Sequence, residues 1–187
     1  MIKQDKRYEY TEGRIREAAR TLVCESGTTD RLTVSGICRR AEINRGTFYL
    51  HYEDINALLD ALGEELYREL SEEFDGMFSS EARLFDGFVR LLTTISGDGY
   101  AAAMLSCERV RLLDRFSESS REAVIENWLS RSELTRAEAD LVYTFVSCGS
   151  IGAARLLCSG NGPQDAYSLL FRLVSKGLAS VVQSLDT

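Results

Sequence analysis

Apolar residues recur every third or fourth position along almost the whole chain, and a single proline, Pro163, stands among 187 residues. Apolar side chains at i, i+3, i+4 and i+7 make one face of an α-helix, and proline breaks the hydrogen-bonded interior of such a helix. No stretch alternates apolar and polar residues as a half-buried strand does. The pattern predicts an all-α fold. Hydrophobic residues make up 44% of the chain, enough to bury a sizeable core, and the length suits a small head on a larger helical body.

The spacing of Ile15, Ala18, Ala19, Leu22 and Val23 predicts a first helix over 8–26, stopped by Gly27. Two short helices follow between Leu32 and Tyr52. Asp54 caps a long helix whose stripe is Ile55, Leu58, Leu59, Leu62, Leu66, Tyr67 and Leu70, and which joins head to body. Further helices are expected over 80–96, over 100–116 with an interruption, over 121–130, and from Thr135 to about Cys158. Thr135 and Glu138 have the spacing of a capping box. The run Ser159-Gly160-Asn161-Gly162-Pro163 is the strongest loop signal, and 165–185 is the final helix.

The two short helices carry the most chemical information. Thr33 can cap the first with its hydroxyl, and Asn44 can cap the second. Val34, Ile37, Cys38 and Ala41 give the first an apolar face, and Ile43 anchors the turn. Phe48 and Tyr52, four apart, pack inward. Arg45, Thr47, Tyr49 and His51 fall elsewhere on the second helix, where a guanidinium can grip guanine and a threonine can touch a thymine methyl or a phosphate. Gly46 lets backbone approach DNA closely. A turn between two such helices, the second studded with groups that reach bases and phosphates, predicts a helix-turn-helix.

The stretch from Leu32 to Leu62 resembles the DNA-binding region of TetR-family transcriptional regulators. The matching residues are Leu32-Thr33, Ile37, Ala41, Thr47-Phe48-Tyr49, His51-Tyr52 and Leu58-Leu59. The wording from Ile43 to Tyr49 is similar to that of regulators of small-molecule metabolism. The resemblance implies a phosphate contact for Thr33. It implies that Ser35, Asn44, Arg45, Gly46 and Thr47 face bases or nearby phosphates, and that Tyr49 and His51 hold the DNA backbone. It also implies a body that binds a small molecule and dimerises, with repression as the usual outcome. Two departures matter. Glu42 stands where the family often has a turn glycine, so an altered turn is expected, because a side chain strains the left-handed conformation. Ile55 stands where the family often has lysine, so one phosphate contact is missing, which lowers affinity and flattens its salt dependence.

The resulting domain organisation is a three-helix DNA-binding head over 1–53 and a helical ligand-binding and dimerisation domain over 54–187. Charge is divided in the same way. Residues 1–52 hold ten Lys/Arg against seven Asp/Glu, a net +3, and residues 53–187 hold twelve against twenty-two, a net −10. A basic head meets phosphate while an acidic body is held away from it.

Within the body, Tyr67, Phe74, Phe88, Tyr100, Met104, Glu108, Trp128 and Tyr143 are the candidates for a small-molecule pocket, with Glu108 or Arg109 as its polar group. The last two long helices are joined by a short loop and should pack antiparallel. Gly149, Gly152 and Ala153 on one, with Leu170, Val174 and Leu178 on the other, are the expected homodimer interface. Two copies then read a near-palindrome in double-stranded DNA.

The five cysteines form no C-x-x-C pair, their number is odd and no export signal precedes them, which reads as a reduced cytoplasmic chain. No metal and no cofactor is expected. No apolar run approaches the ~20 residues of a membrane span. An enzyme is not expected either. His51 is the sole histidine and lies on the DNA-facing helix, no phosphate-binding glycine loop occurs, and the pairs Glu64-Glu65 and Glu72-Glu73 read as solvated. Two alternatives stay open: a thiol-based redox sensor using Cys107, Cys148 or Cys158, and a helical interaction module that no longer binds DNA.

Overall fold

In the computed structural model of the chain, the described residues are 2–73 and 97–158, with the single positions 169, 172, 173 and 176. All regular structure among them is α-helical: α1 (Ile2–Ser26), α2 (Val34–Arg40), α3 (Arg45–His51), α4 (Ile55–Glu73), α5 (Gly99–Ser106), α6 (Leu112–Leu129) and α7 (Arg136–Cys158). The helix expected over 80–96, with Phe74 and Phe88, lies outside the described residues, as do Leu170, Val174 and Leu178. Positions 169, 172, 173 and 176 are helical, in the stretch expected to form the last helix.

The head is built as its apolar spacing demands. Ile15, Ala18, Ala19 and Val23 of α1 are buried against Ile37, Cys38 and Ala41 of α2, Phe48 of α3 and Tyr52 beyond it. Gly27 ends α1 in the left-handed conformation (φ 68°), its N–H returning to the Val23 carbonyl. The same core continues without a break through Leu58, Leu59, Leu62, Leu66 and Leu70 of α4 into Tyr100, Met104 and Leu105 of α5 and Leu112, Leu113 and Phe116 of α6. A second cluster, Val124, Ile125, Trp128, Ala139 and Tyr143, closes the far end of α6 and α7. Direct packing of α1 on α5 brings the body against the head.

Three expectations are corrected. First, α1 begins at Ile2, ahead of the expected start. Second, the interruption expected inside 100–116 falls at 107–111, but α6 then runs unbroken through Ser117-Glu118-Ser119-Ser120, where two separate helices were expected. Serines favour caps and turns because their hydroxyls compete for backbone groups. Here Ser119 and Ser120 satisfy theirs inside the helix, both donating to the Phe116 carbonyl. Third, α7 is long and apolar enough to cross a membrane by length and composition alone, so the apolar run exceeds what was expected. It nonetheless packs along α6 and α5, with Ala139, Tyr143 and Ala154 buried.

Candidate nucleic-acid interface

Local chemistry fixes both helices of the motif. The Thr33 hydroxyl accepts from the Gly36 N–H at 3.1 Å, and the Asn44 side-chain oxygen accepts from the Thr47 N–H at 2.7 Å. Each supplies a partner to an otherwise unpaired donor in a first turn. A Cβ on Gly36 would meet the Thr33 hydroxyl at 3.0 Å, so a side chain there would press on the cap. Gly46 is under a milder form of the same constraint, its Cβ meeting the Asn44 oxygen at 3.3 Å.

The turn corrects the expectation drawn from Glu42. The Ile43 N–H bonds the Cys38 carbonyl at 3.0 Å and the Glu42 N–H the Arg39 carbonyl at 3.4 Å, which is the Schellman closure of α2. Glu42 occupies its left-handed position at φ 51°. The turn therefore keeps the geometry that glycine ordinarily serves, and the strain of a side chain in that conformation is borne. The Glu42 carboxylate accepts from Arg14 Nη2 at 2.9 Å, which ties the turn to α1.

Ser35, Asn44, Arg45, Gly46 and Tyr49 are exposed on one surface, with Leu50 beside them and 77% exposed. Arg45 donates to the Ser35 hydroxyl, so its guanidinium is held across the two helices and forms no ion pair among the described residues. Thr33 is exposed as well. Thr47 is half-buried and its hydroxyl donates to the Asn44 oxygen at 3.1 Å; the cap thus occupies that oxygen and leaves the Asn44 amide N–H groups to an outside partner. His51 is half-buried. Its ring stacks on Tyr8 at 4.0 Å between centroids, and its Nδ1 is buried without a partner among the described residues. Burial holds its pKa below the ordinary histidine value, so the ring is neutral near pH 7. The half-buried Ile55 offers no cation where a phosphate contact would fall.

Between head and body, α4 is held by charge. Arg16 and Arg20 of α1 reach Glu65 at 3.5 and 3.2 Å, and Arg20 also reaches Glu69 at 3.3 Å. Arg16 donates to the Tyr52 hydroxyl at 2.9 Å, which donates on to Glu12, and burial pushes the Tyr52 pKa up to about 12. Arg20 also lies over the Tyr100 ring at 5.1 Å. Glu64 takes both guanidinium nitrogens of Arg115. The carboxylates read as solvated are thus partly structural.

The described pocket candidates are not gathered in one place. Tyr100 and Met104 are core residues of α5, Tyr67 packs on Phe116 at 4.7 Å, and Trp128 and Tyr143 meet in the far cluster at 6.1 Å. The Tyr143 hydroxyl is held by Ser117 and Ser120. Glu108 is exposed, but with Arg109 it lines a cleft of about 600 Å³ that sequence reasoning missed. The cleft's walls are Thr28, Thr29, Asp30 and Leu32 of the head, the first turns of α4, and Ser106 and Cys107 at the end of α5. No local signal could have placed these three segments together.

The arginines near Cys107 are already paired, Arg109 with Asp60 at 2.8 Å and Arg111 with Asp114 at 3.6 Å. Burial raises the Cys158 thiol pKa, away from the reactive thiolate. Cys148 is exposed on α7. On that helix Leu141 is 71% and Phe145 81% exposed, and Leu156 is exposed too. A Cβ on Gly149 or Gly152 would meet nothing within 4 Å among the described residues, and Ala153 is half-buried.

The fold is a helix-turn-helix head carried on a helical body. Residues 15–62 match the family model of bacterial regulatory proteins of the tetR family. That match covers the second half of α1, both short helices of the motif and the start of α4. No match is found among curated proteins. Solved structures share the fold over nearly their whole length. RolR in complex with resorcinol aligns at 19% identity and a TM-score of 0.68, covering 95% of this chain and 94% of that one. The fatty acid degradation regulator FadR from Bacillus halodurans aligns at 15% and 0.66, covering 94% and 96%. A TetR protein from Acinetobacter baumannii AYE in complex with minocycline aligns at 18% and 0.55, covering 92% and 94%.

Proposed function

We propose that the chain is a ligand-responsive repressor that binds a near-palindromic operator as a homodimer in the cytoplasm, with 1–53 as DNA-binding head and 54–187 as ligand-binding and dimerising body. The observation that carries this reading is the exposed face of α3, where Arg45 is held by Ser35 and has no carboxylate partner among the described residues. Such a guanidinium is preoriented for a guanine edge. Thr33, Ser35, Asn44, Gly46, Thr47 and Tyr49 surround it with contacts to bases and phosphates, and His51 contributes by packing.

The exposed Leu141 and Phe145, with no described side chain within 4 Å of a Cβ on Gly149 or Gly152, support α7 as the dimer face. Lipid is a poorer partner for it, because the same helix forms partly exposed ion pairs to α6, Asp140 with Arg121 and Arg155 with Asp114. The five free cysteines suit a reducing compartment. The cleft between head and body supports effector control. Its volume of about 600 Å³ suits a small molecule, and an occupant that prefers one head angle shifts the population toward it. RolR with resorcinol and the Acinetobacter protein with minocycline are related folds that hold small molecules.

The test is selection of a duplex from a randomised pool, followed by affinity measurement and sedimentation of the complex. We expect an inverted repeat bound by two protomers. Arg45→Ala should lose ~1–3 kcal/mol on the selected duplex and relax the preference at one base pair per half-site. A chain that selects no sequence, or an Arg45→Ala protein with unchanged preference, refutes the reading.

A further inference from the structure

The early start of α1 has a consequence for the DNA-facing surface. Two contacts fix α1 along α3. Arg14 holds Glu42, which precedes α3, and Tyr8 stacks on His51, which ends it. The Tyr8 hydroxyl also reaches the Leu50 carbonyl at 3.5 Å. The N-terminal half of α1 therefore lies antiparallel beside the recognition helix. Arg7 and Arg14 are seven residues apart and share a helix face. Arg14 is turned toward the motif, so Arg7 is on that side too, level with the exposed end of α3. Glu9, two positions on, falls on the opposite side of the helix.

Charge separates these residues from the arginines that tie the head's own elements together. Arg14, Arg16, Arg20 and Arg40 each pair with a carboxylate. Lys6 and Arg7 are exposed and make no ion pair among the described residues, and Tyr10 beside them is 69% exposed. Unpaired cations alongside a helix that enters the major groove meet the phosphates bordering that groove.

We propose that the leading edge of α1, formed by Lys6, Arg7 and Tyr10, is a second DNA-contacting element that grips backbone phosphates beside the groove occupied by α3. It rests on the operator-binding reading above. It adds affinity and footprint length to each half-site, and no base preference.

The test uses the full chain and the duplex selected by the wild type. Binding is measured against salt for wild type, for Lys6→Gln/Arg7→Gln, and for Arg131→Gln as an exposed arginine of the body. Each phosphate contact contributes about 0.9 to the slope of log affinity against log salt. The double variant should flatten the slope by roughly 2 per protomer, weaken selected and scrambled duplexes alike, and shorten the hydroxyl-radical footprint at the flanks. Arg131→Gln should change none of these. A double variant with the wild-type slope and footprint overturns the inference. One that alters base preference instead overturns it in favour of a role in positioning α3 through Tyr8. Tyr8→Phe, which keeps the stack, should bind with wild-type preference. Failure of the wild type to bind any duplex refutes the operator reading before the variants are compared.

Discussion

Gly63 lies buried in the middle of α4, where glycine costs a helix ~1 kcal/mol relative to alanine. The reason is Val110, in the break between α5 and α6. A Cβ on Gly63 would lie 2.3 Å from Val110 Cγ1, 3.5 Å from its Cβ and 3.6 Å from its Cγ2. Valine is stiff at χ1, and with Val110 only 7% exposed the methyl has little room to turn away. Gly63→Ala should therefore gain ~1 kcal/mol of helix propensity and lose about 1–3 kcal/mol to overpacking, a net destabilisation of up to about 2 kcal/mol. Val110→Ala removes two buried methyl groups, at ~0.8 kcal/mol each before any cavity contribution. In that background the offending Cγ1 and Cγ2 are gone and Cβ is at ordinary contact distance. Gly63→Ala should then stabilise, by as much as ~1 kcal/mol. Urea unfolding followed by circular dichroism, at one protomer concentration because dimerisation would shift the midpoint, measures all four proteins of the cycle. A sign reversal between the two backgrounds is expected. Equal effects of Gly63→Ala in the wild-type and Val110→Ala backgrounds would refute the packing argument.

Two further outcomes follow from the head. The His51 ring should titrate in proton NMR with a midpoint below the ordinary ~6.5, since burial favours its neutral form. Because the folded value is the lower one, the stability contributed is complete above the unfolded pKa and drains away as pH falls through the folded one. Tyr8→Ala, which uncovers the ring, should move the midpoint upward; an unmoved midpoint would mean that the stack does not cause the depression. Glu42→Gly should relieve left-handed strain of about 1–2 kcal/mol against an exposed Arg14 pair worth ~0–1 kcal/mol and the entropy of a new glycine in the unfolded chain, roughly 0.4–1 kcal/mol. The urea midpoint should stay level or rise, and rise further in an Arg14→Gln background. A clear drop in both backgrounds would show that Glu42 is not strained.

Much of the head was legible because its signals are local. Thr33, Asn44 and Thr135 cap the helices their spacing suggested, and Asp54 does so through the Ala57 N–H at 2.8 Å. The apolar stripes of α1 and α4 likewise became their buried faces. The break before α6 falls inside the stretch where an interruption was expected, but its exact place was not legible because its signal is tertiary. The segment 107–111 contains no glycine or proline, and Arg111 stands at φ 50° without either. What sets the break is the docking of Val110 on Gly63, and a glycine inside an apolar helical pattern was the one available hint of a close neighbour. The body aromatics were legible as core but not as a pocket, because composition does not say which of them share a wall. The arginine pairs joining Arg16 and Arg20 to α4 cross nearly fifty positions and left no mark in the sequence pattern.

Those pairs explain how α4 can act as more than a connector. Glu65 and Glu69 are four apart and face α1. Asp60, Gly63, Glu64 and Tyr67 recur at spacings of three and four on another face, and they receive Arg109, Val110 and Arg115. Arg115 takes part twice, pairing with Glu64 and lying 4.1 Å above the Tyr67 ring. One face of α4 thus belongs to the head and another to the start of α6, so neither can rotate about α4 without breaking contacts on one of them. The cleft lies where this arrangement is open, with Arg109 serving both as wall and as the partner of Asp60. Under the effector control proposed above, a molecule seated there would meet the residue that fastens the body to α4, and competition for that one guanidinium would be a sufficient physical route from occupancy to the angle of the head. Separate movement of helices deeper in the body is not needed for it.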